Sequence, residues 1–178
     1  WWAETVPVVR PLVTPPQAEL LDTELAFQRQ LADSAAHRGL PEAAIHADLF
    51  RDNVMFDEAD DGRDRLTGFF DFYFAGVDKL LFDVGVCLND WCIDLASGRL
   101  DEQRAQAFMA SYDAVLTLSG AELRALPALM RAAALRFWIS RLWDWQLPRD
   151  AALLQPKDPA HFERVLRAAI QNPWHPPV

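Results

Sequence analysis

Ile45-His46-Ala47-Asp48-Leu49-Phe50-Arg51-Asp52-Asn53-Val54-Met55-Phe56 is the stretch that sets the architecture of this chain. A short, partly apolar run (Ala44-Ile45-His46) enters it, and a second apolar run (Val54-Met55-Phe56) leaves it. Asp57 to Asp64 is a polar loop containing Gly62, and Leu66, Phe69, Phe70 and Phe72 follow. Residues 43–73 therefore read as a small β-hairpin unit preceded by a loop, with Asp71 a lone acid at the end of an apolar strand. On both sides the pattern turns helical. Leu20, Leu21, Leu25, Gln28 and Leu31 keep helical spacing between Gln17 and His37, and Gly39-Leu40-Pro41 stops the run. The spacing predicts further helices from Leu80 to Leu95, from Asp101 to Ser119, and from Glu122 to Trp145 with a break or restart at Pro127. A last one starts at Asp158-Pro159 and ends at about Gln171. Residues 1–16 carry Pro7, Pro11, Pro15 and Pro16 and read as a tether or extended lead-in. The expected fold class is α+β, predominantly α-helical.

The 178 residues make about one domain, and the 51% hydrophobic content supports a sizeable core without staples. The balance of 17 Lys+Arg against 26 Asp+Glu, a formal charge of −9, argues against nucleic acid and against a polybasic membrane patch. The apolar runs are far shorter than the roughly 18 residues of a membrane span. Two cysteines, Cys87 and Cys92, make no disulfide framework and point to a reducing, cytoplasmic setting. The chain opens Trp1-Trp2 with no basic-then-apolar leader, as a fragment, a processed product or a sequence lacking its start would.

The chemistry lies in His46-x-Asp48-x-x-x-x-Asn53. In kinases this spacing gives an aspartate that accepts the substrate hydroxyl proton and an asparagine that binds Mg²⁺. A loop fixed between two short strands aims base and amide at the same phosphoryl group. Asp71 stands where kinases place the aspartate that bridges Mg²⁺ to the phosphates. Tyr73 replaces the glycine of the protein-kinase tripeptide. The bland alternative is a turn in which Asp48 and Asn53 cap loops and Asp71 ends a strand.

His46-Ala47-Asp48-Leu49-Phe50-Arg51-Asp52-Asn53-Val54 resembles the catalytic loop of bacterial homoserine kinases of the aminoglycoside-phosphotransferase-like type. Leu66-Thr67-Gly68-Phe69-Phe70-Asp71-Phe72-Tyr73-Phe74-Ala75 resembles their second motif. The wider kinase-like family shares both. Leu88-Asn89-Asp90-Trp91-Cys92 and Ala134-Leu135-Arg136-Phe137-Trp138-Ile139-Ser140-Arg141-Leu142 are similar to helices that narrow it to homoserine kinase. The resemblance covers nearly the whole chain. It implies transfer of the ATP γ-phosphate to the hydroxyl of L-homoserine, on the route to threonine. Asp48 would orient or deprotonate that hydroxyl, His46 would support the loop, and Asn53 and Asp71 would hold Mg²⁺.

Asp83, Cys87, Asp90 and Asp94 share one face of the helix expected after Leu80. Asp83 reads as support for the catalytic loop. Asp90 reads either as a binder of the homoserine amino group or as part of a solvated acidic face. Arg136 and Arg141 lie among Phe137, Trp138, Leu142, Trp143 and Trp145, where a cation needs a partner. They suit a substrate carboxylate, with an internal ion pair or ring stacking as the blander and favoured alternative. The Asp57–Gly62 acids fit a hairpin turn rather than a calcium loop, because Gly68 falls where the bidentate Glu is needed.

A kinase of this type also needs an ATP-binding lobe with a glycine-rich cover and a lysine on a strand. The residues before His46 contain one glycine, Gly39, and no lysine; the only lysines are Lys79 and Lys157. The chain is therefore expected to be a kinase-like C-terminal lobe spanning 1–178, inactive alone, with apolar surface exposed toward the missing N-terminal lobe and available for self-association. Two alternatives stand beside this expectation. One is a kinase of another acceptor, such as an aminoglycoside or choline. The other is a truncated, non-catalytic binding or assembly domain.

Overall fold

The computed structural model describes residues 1–147 and 156–177. Residues 1–16 are not an extended lead-in. Trp2–Val9 form helix α1, and a single 3-10 turn covers Arg10–Leu12. Pro7 removes one amide from α1, but Val6 and Val9 are buried against the later helices, and that packing keeps the short helix formed. Pro15 and Pro16 open α2 (Pro15–Ala32), where their missing N–H groups cost nothing. The expected single helix to His37 is interrupted. Ser34 caps a separate short helix, α3 (Ala35–Arg38), by accepting from the His37 amide at 3.1 Å.

Two antiparallel ladders follow, one nested in the other. β1 (Glu42–Ile45) pairs with β4 (Gly76–Lys79), Glu42 opposite Lys79 and Ile45 opposite Gly76. Between them β2 (Val54–Glu58) and β3 (Asp64–Phe69) form the expected hairpin, Val54 opposite Phe69 and Glu58 opposite Asp64. Gly62 takes φ 75° in the turn, so the acidic loop is a hairpin turn. The nesting has a direct consequence. The segments 46–53 and 70–75 each link one ladder to the other, so they lie side by side. β4 is not legible in the sequence, because four residues beginning with Gly76 carry too little apolar pattern.

Helix α4 (Leu80–Trp91) ends earlier than the apolar pattern suggests. Asp94 then accepts from the Ser97 amide and hydroxyl at 2.8 and 2.6 Å and closes a turn. Asp94 therefore does not continue the acidic helix face. α5 (Glu102–Asp113) is capped by Asp101. In α6 (Gly120–Gln146) Ser119 and Glu122 cap each other, which starts the helix ahead of its apolar run. α6 does not break at Pro127. It is the central helix, and Leu126, Leu129 and Met130 around the proline are buried, so packing outweighs the roughly 3 kcal/mol that an internal proline costs. Asp158 accepts from the Ala160 amide at 2.8 Å and opens α7 (Ala160–Gln171).

Trp138, Leu135, Ile139 and Leu142 of α6 meet Val9 of α1, Leu21 of α2 and Phe162 and Leu166 of α7 in one core. A second core joins Leu81 and Leu88 of α4 to Met109 of α5 and Leu126 of α6. The buried carboxylate of Glu24 is paired with Arg131 at 2.5 and 3.0 Å. Gly98, at φ 73°, lies so close to α7 that a Cβ would sit 2.8 Å from the Arg164 carbonyl carbon. Gly98→Ala is expected to lower unfolding stability by about 2 kcal/mol, from the left-handed backbone and the displaced helix, measured by urea denaturation.

One surface is conspicuously apolar. Met55, Phe56, Leu66, Phe69, Phe70, Phe72, Tyr73 and Val77, on the hairpin and the segment after it, are all exposed, Tyr73 at 85%. Among the described residues no helix is long and apolar enough to cross a membrane.

Candidate active site

One face of α4 holds the loop that carries Asp48. Asp83 accepts from the His46 amide through Oδ2 and from the Ala47 amide through Oδ1, both at 2.7 Å. Trp91 Nε1 donates to the Leu49 carbonyl at 3.1 Å, and the Cys87 thiol points to the same oxygen at 3.7 Å. Asp90 accepts from the Arg51 amide at 2.9 Å and from its Nε at 3.1 Å. The helical spacing of 83, 87, 90 and 91 is thus matched to loop positions 46, 47, 49 and 51. Burial pushes the Cys87 thiol up to about 12, so it packs as a neutral group.

The loop stores a strained residue beside its acid. Ala47 has φ 62°, a left-handed conformation that costs a non-glycine residue about 1 kcal/mol or more. Asp83 fixes its amide, and Arg136 Nη1 donates to its carbonyl at 2.6 Å. Both faces of the residue preceding Asp48 are therefore pinned. Arg136 also lies over Phe74 and Phe137, at 4.5 and 4.7 Å from the ring centres.

His46 couples the two neighbouring segments. Its Nε2 is 2.9 Å from the Phe70 carbonyl, and its Nδ1 is 3.3 Å from the Asp48 amide. A carbonyl only accepts, so Nε2 carries the proton and Nδ1 accepts from Asp48 N–H. With both nitrogens engaged, and its ring against Phe72 at 4.8 Å, His46 positions the loop. Asn53 Nδ2 donates to the Asp48 carbonyl at 2.7 Å and approaches its Oδ2 at 3.4 Å, which leaves Asn53 Oδ1 to serve another partner. Asp71 also adopts a left-handed backbone, φ 61°, immediately after the hairpin.

Asp48, Asn53 and Asp71 line a common cleft of about 340 Å³, closed on its helical side by Arg141 of α6 together with Lys157. Burial raises the Asp48 carboxyl above the usual carboxylate range. The Asp71 charge pushes it the same way, while Arg136, His46 and the Asn53 hydrogen bond pull it down. Among the described residues no group of three or more His, Cys, Asp or Glu side chains is placed to hold a metal by itself. The Asp71 carboxylate and the Asn53 amide oxygen are hard donors that suit an oxygen-loving divalent cation whose other ligands come from water or substrate.

The model of the phosphotransferase enzyme family matches residues 2–116. The chain belongs to this family. The homoserine kinase of Polaromonas naphthalenivorans is 61% identical over 174 residues, covering 98% of this chain and 54% of that protein. The homoserine kinase of Ralstonia nicotianae is 56% identical over 172 residues, covering 96% of this chain and 52% of that protein. That of Cupriavidus taiwanensis is 52% identical over 182 residues, covering 100% and 54%. The chain spans about half the length of the curated relatives it matches.

In this phosphotransferase-family chain, not every candidate from the sequence lines the cleft. Asp48, Asn53, Asp71 and Arg141 do. Asp83, Asp90 and Arg136 are engaged with the loop behind it. Sequence reasoning missed Trp91 and Arg51 as loop anchors, and Lys157 as a cleft residue that pairs with Asp52 at 2.9 Å. The first two belong to motifs already quoted. Nothing in the sequence around Lys157 signals its position.

Proposed function

We propose that the full-length protein is a homoserine kinase that transfers the γ-phosphoryl group of ATP to the hydroxyl of L-homoserine. The observation that carries this reading is the convergence of Asp48, Asn53 and Asp71 on one cleft. The names of the relatives supply the acceptor. Asp48 would accept the homoserine hydroxyl proton or hold that hydroxyl in line for attack. Asn53 Oδ1 and the Asp71 carboxylate are the residues that would hold Mg²⁺. When bound, that ion neutralises phosphate charge. Asp83, Asp90, Arg136 and His46 act one step back, by fixing where the Asp48 carboxyl points.

In this reading the 178 residues are the C-terminal lobe. The glycine-rich cover and the phosphate-binding lysine that such a kinase needs would then lie outside these 178 residues. The exposed apolar hairpin is then the surface that meets that lobe, and it also allows self-association of the isolated chain. The cytoplasm, where both cysteines stay reduced, is the compartment this activity implies.

The test is ADP release by full-length protein offered L-homoserine, choline and an aminoglycoside in turn, with Mg²⁺ present. Release with homoserine and not with the others is expected, and the isolated 178-residue chain is expected to release none. Preference for either other acceptor would change the substrate, and homoserine-dependent release from the isolated chain would refute its assignment as one lobe.

A further inference from the structure

Helix α6 carries three arginines at five-residue spacing, and each lies over a phenylalanine ring. Arg131 sits 3.6 Å from the ring centre of Phe27 and is paired with the carboxylate of Glu24. Arg136 sits over Phe74 and Phe137 and donates to the Ala47 carbonyl. Arg141 sits 4.3 Å from the ring centre of Phe162, yet among the described residues its guanidinium makes no hydrogen bond and no ion pair. It is partly buried, and burial draws its pKa below the ordinary arginine value against the pull of Asp90, Asp158, Asp52 and Asp48.

A partly desolvated guanidinium with no hydrogen-bond acceptor among the described residues is costly, and the cost is relieved when an anion docks on its N–H edge. Stacking on Phe162 occupies the flat face and leaves that edge to the cleft. The other cation of the cleft, Lys157, is exposed and already paired with Asp52. Two anions are available in the proposed reaction, a phosphate and the acceptor's carboxylate. The candidate metal and phosphate ligands, Asn53 and Asp71, both come from the ends of the hairpin. Arg141 closes the opposite, helical wall between α6 and α7. That placement favours the carboxylate.

We propose that Arg141 receives the α-carboxylate of the acceptor amino acid, so that its hydroxyl is presented to Asp48 from the helical side of the cleft. This rests on the homoserine kinase reading and assigns the part of the substrate that reading leaves unplaced. It also separates the two arginines of the motif: Arg136 positions the loop, and Arg141 selects the substrate.

The test compares L-homoserine with 3-aminopropan-1-ol, the same amino alcohol without its carboxylate, in full-length wild-type, Arg141→Leu and Arg141→Lys proteins. Arg141→Leu is expected to lower kcat/KM for homoserine about 100-fold, mostly through KM, while changing the value for 3-aminopropan-1-ol by less than about threefold. Arg141→Lys should recover part of the homoserine loss and none of the bidentate geometry. If Arg141→Leu does not fold, Arg141→Gln carries the same comparison. Parallel loss with both acceptors, or a homoserine loss in kcat alone, would assign Arg141 to phosphoryl transfer or to the fold and overturn the proposal. So would an unchanged KM for homoserine. A wild-type enzyme that ignores homoserine but phosphorylates another alcohol is seen before any variant is made, and it retires the kinase reading together with this assignment.

Discussion

Full-length protein carrying Asp48→Asn is expected to lose about 10³-fold in kcat while its folded state remains at least as stable as wild type. The loss follows from geometry. Asp48 is the carboxylate that Asn53, His46 and Arg136 jointly aim, and an amide in its place keeps the shape but has no proton affinity. The stability expectation follows from sign. Burial raises the carboxyl's pKa in the folded state, so folding favours its protonated form. Stability from this group is present at pH values below its unfolded pKa and is lost as pH rises through the higher folded value. At neutral pH the charge is therefore held at a cost that Asn removes. Steady-state kinetics and thermal midpoints at neutral pH and at about pH 4 check both halves. The midpoint gap should narrow at the acid end. Turnover within tenfold of wild type would remove Asp48 from the chemistry.

Asp83→Ala is expected to be the more damaging change to the molecule. It strips the acceptor from two backbone amides at once, both at 2.7 Å and both in a partly buried setting. At about 1–3 kcal/mol for each unsatisfied donor, the loss is about 2–6 kcal/mol, a large share of a typical domain's stability. One of those amides belongs to Ala47, whose left-handed backbone is maintained only by its neighbours. Turnover should fall with stability, because the residue before Asp48 is then free to relax. Asp83→Asn should be intermediate, since its amide oxygen serves one N–H while its NH₂ opposes the other. Urea unfolding of the three proteins gives the order, and an alanine variant within about 0.5 kcal/mol of wild type would contradict it.

The parts of the fold legible in the sequence are those written in local signals. The hairpin turn at Gly62, the Asp158 turn that leads into α7 and the end of α7 need only a few neighbouring residues. The elements that escaped depend on packing. α1 exists because Val6 and Val9 are covered, and α6 passes Pro127 because the helix is buried around it. Within the candidate site, the spacing of Asp48, Asn53 and Asp71 is a one-dimensional pattern and is readable as such. The face of α4 is only half readable. Its periodicity puts Asp83 and Asp90 together, but the backbone groups they meet lie some forty residues away, with |i−j| of 37 for His46 and 39 for Arg51. The same holds for Arg136 and Arg141. Their burial is evident from their apolar neighbours, while the carbonyl that satisfies one and the open cleft before the other belong to three dimensions.

The anchoring of the Asp48 loop by a distant helix bears on how the molecule acquires its site. The His46 and Ala47 amides have no partner nearby in sequence, so no local turn pre-forms them. The loop is closed over this separation by the pairing of β1 with β4 and the docking of α4. The geometry of the candidate site therefore depends on the tertiary structure as a whole. The shape of that loop is thus a property of the folded chain and not of its own residues.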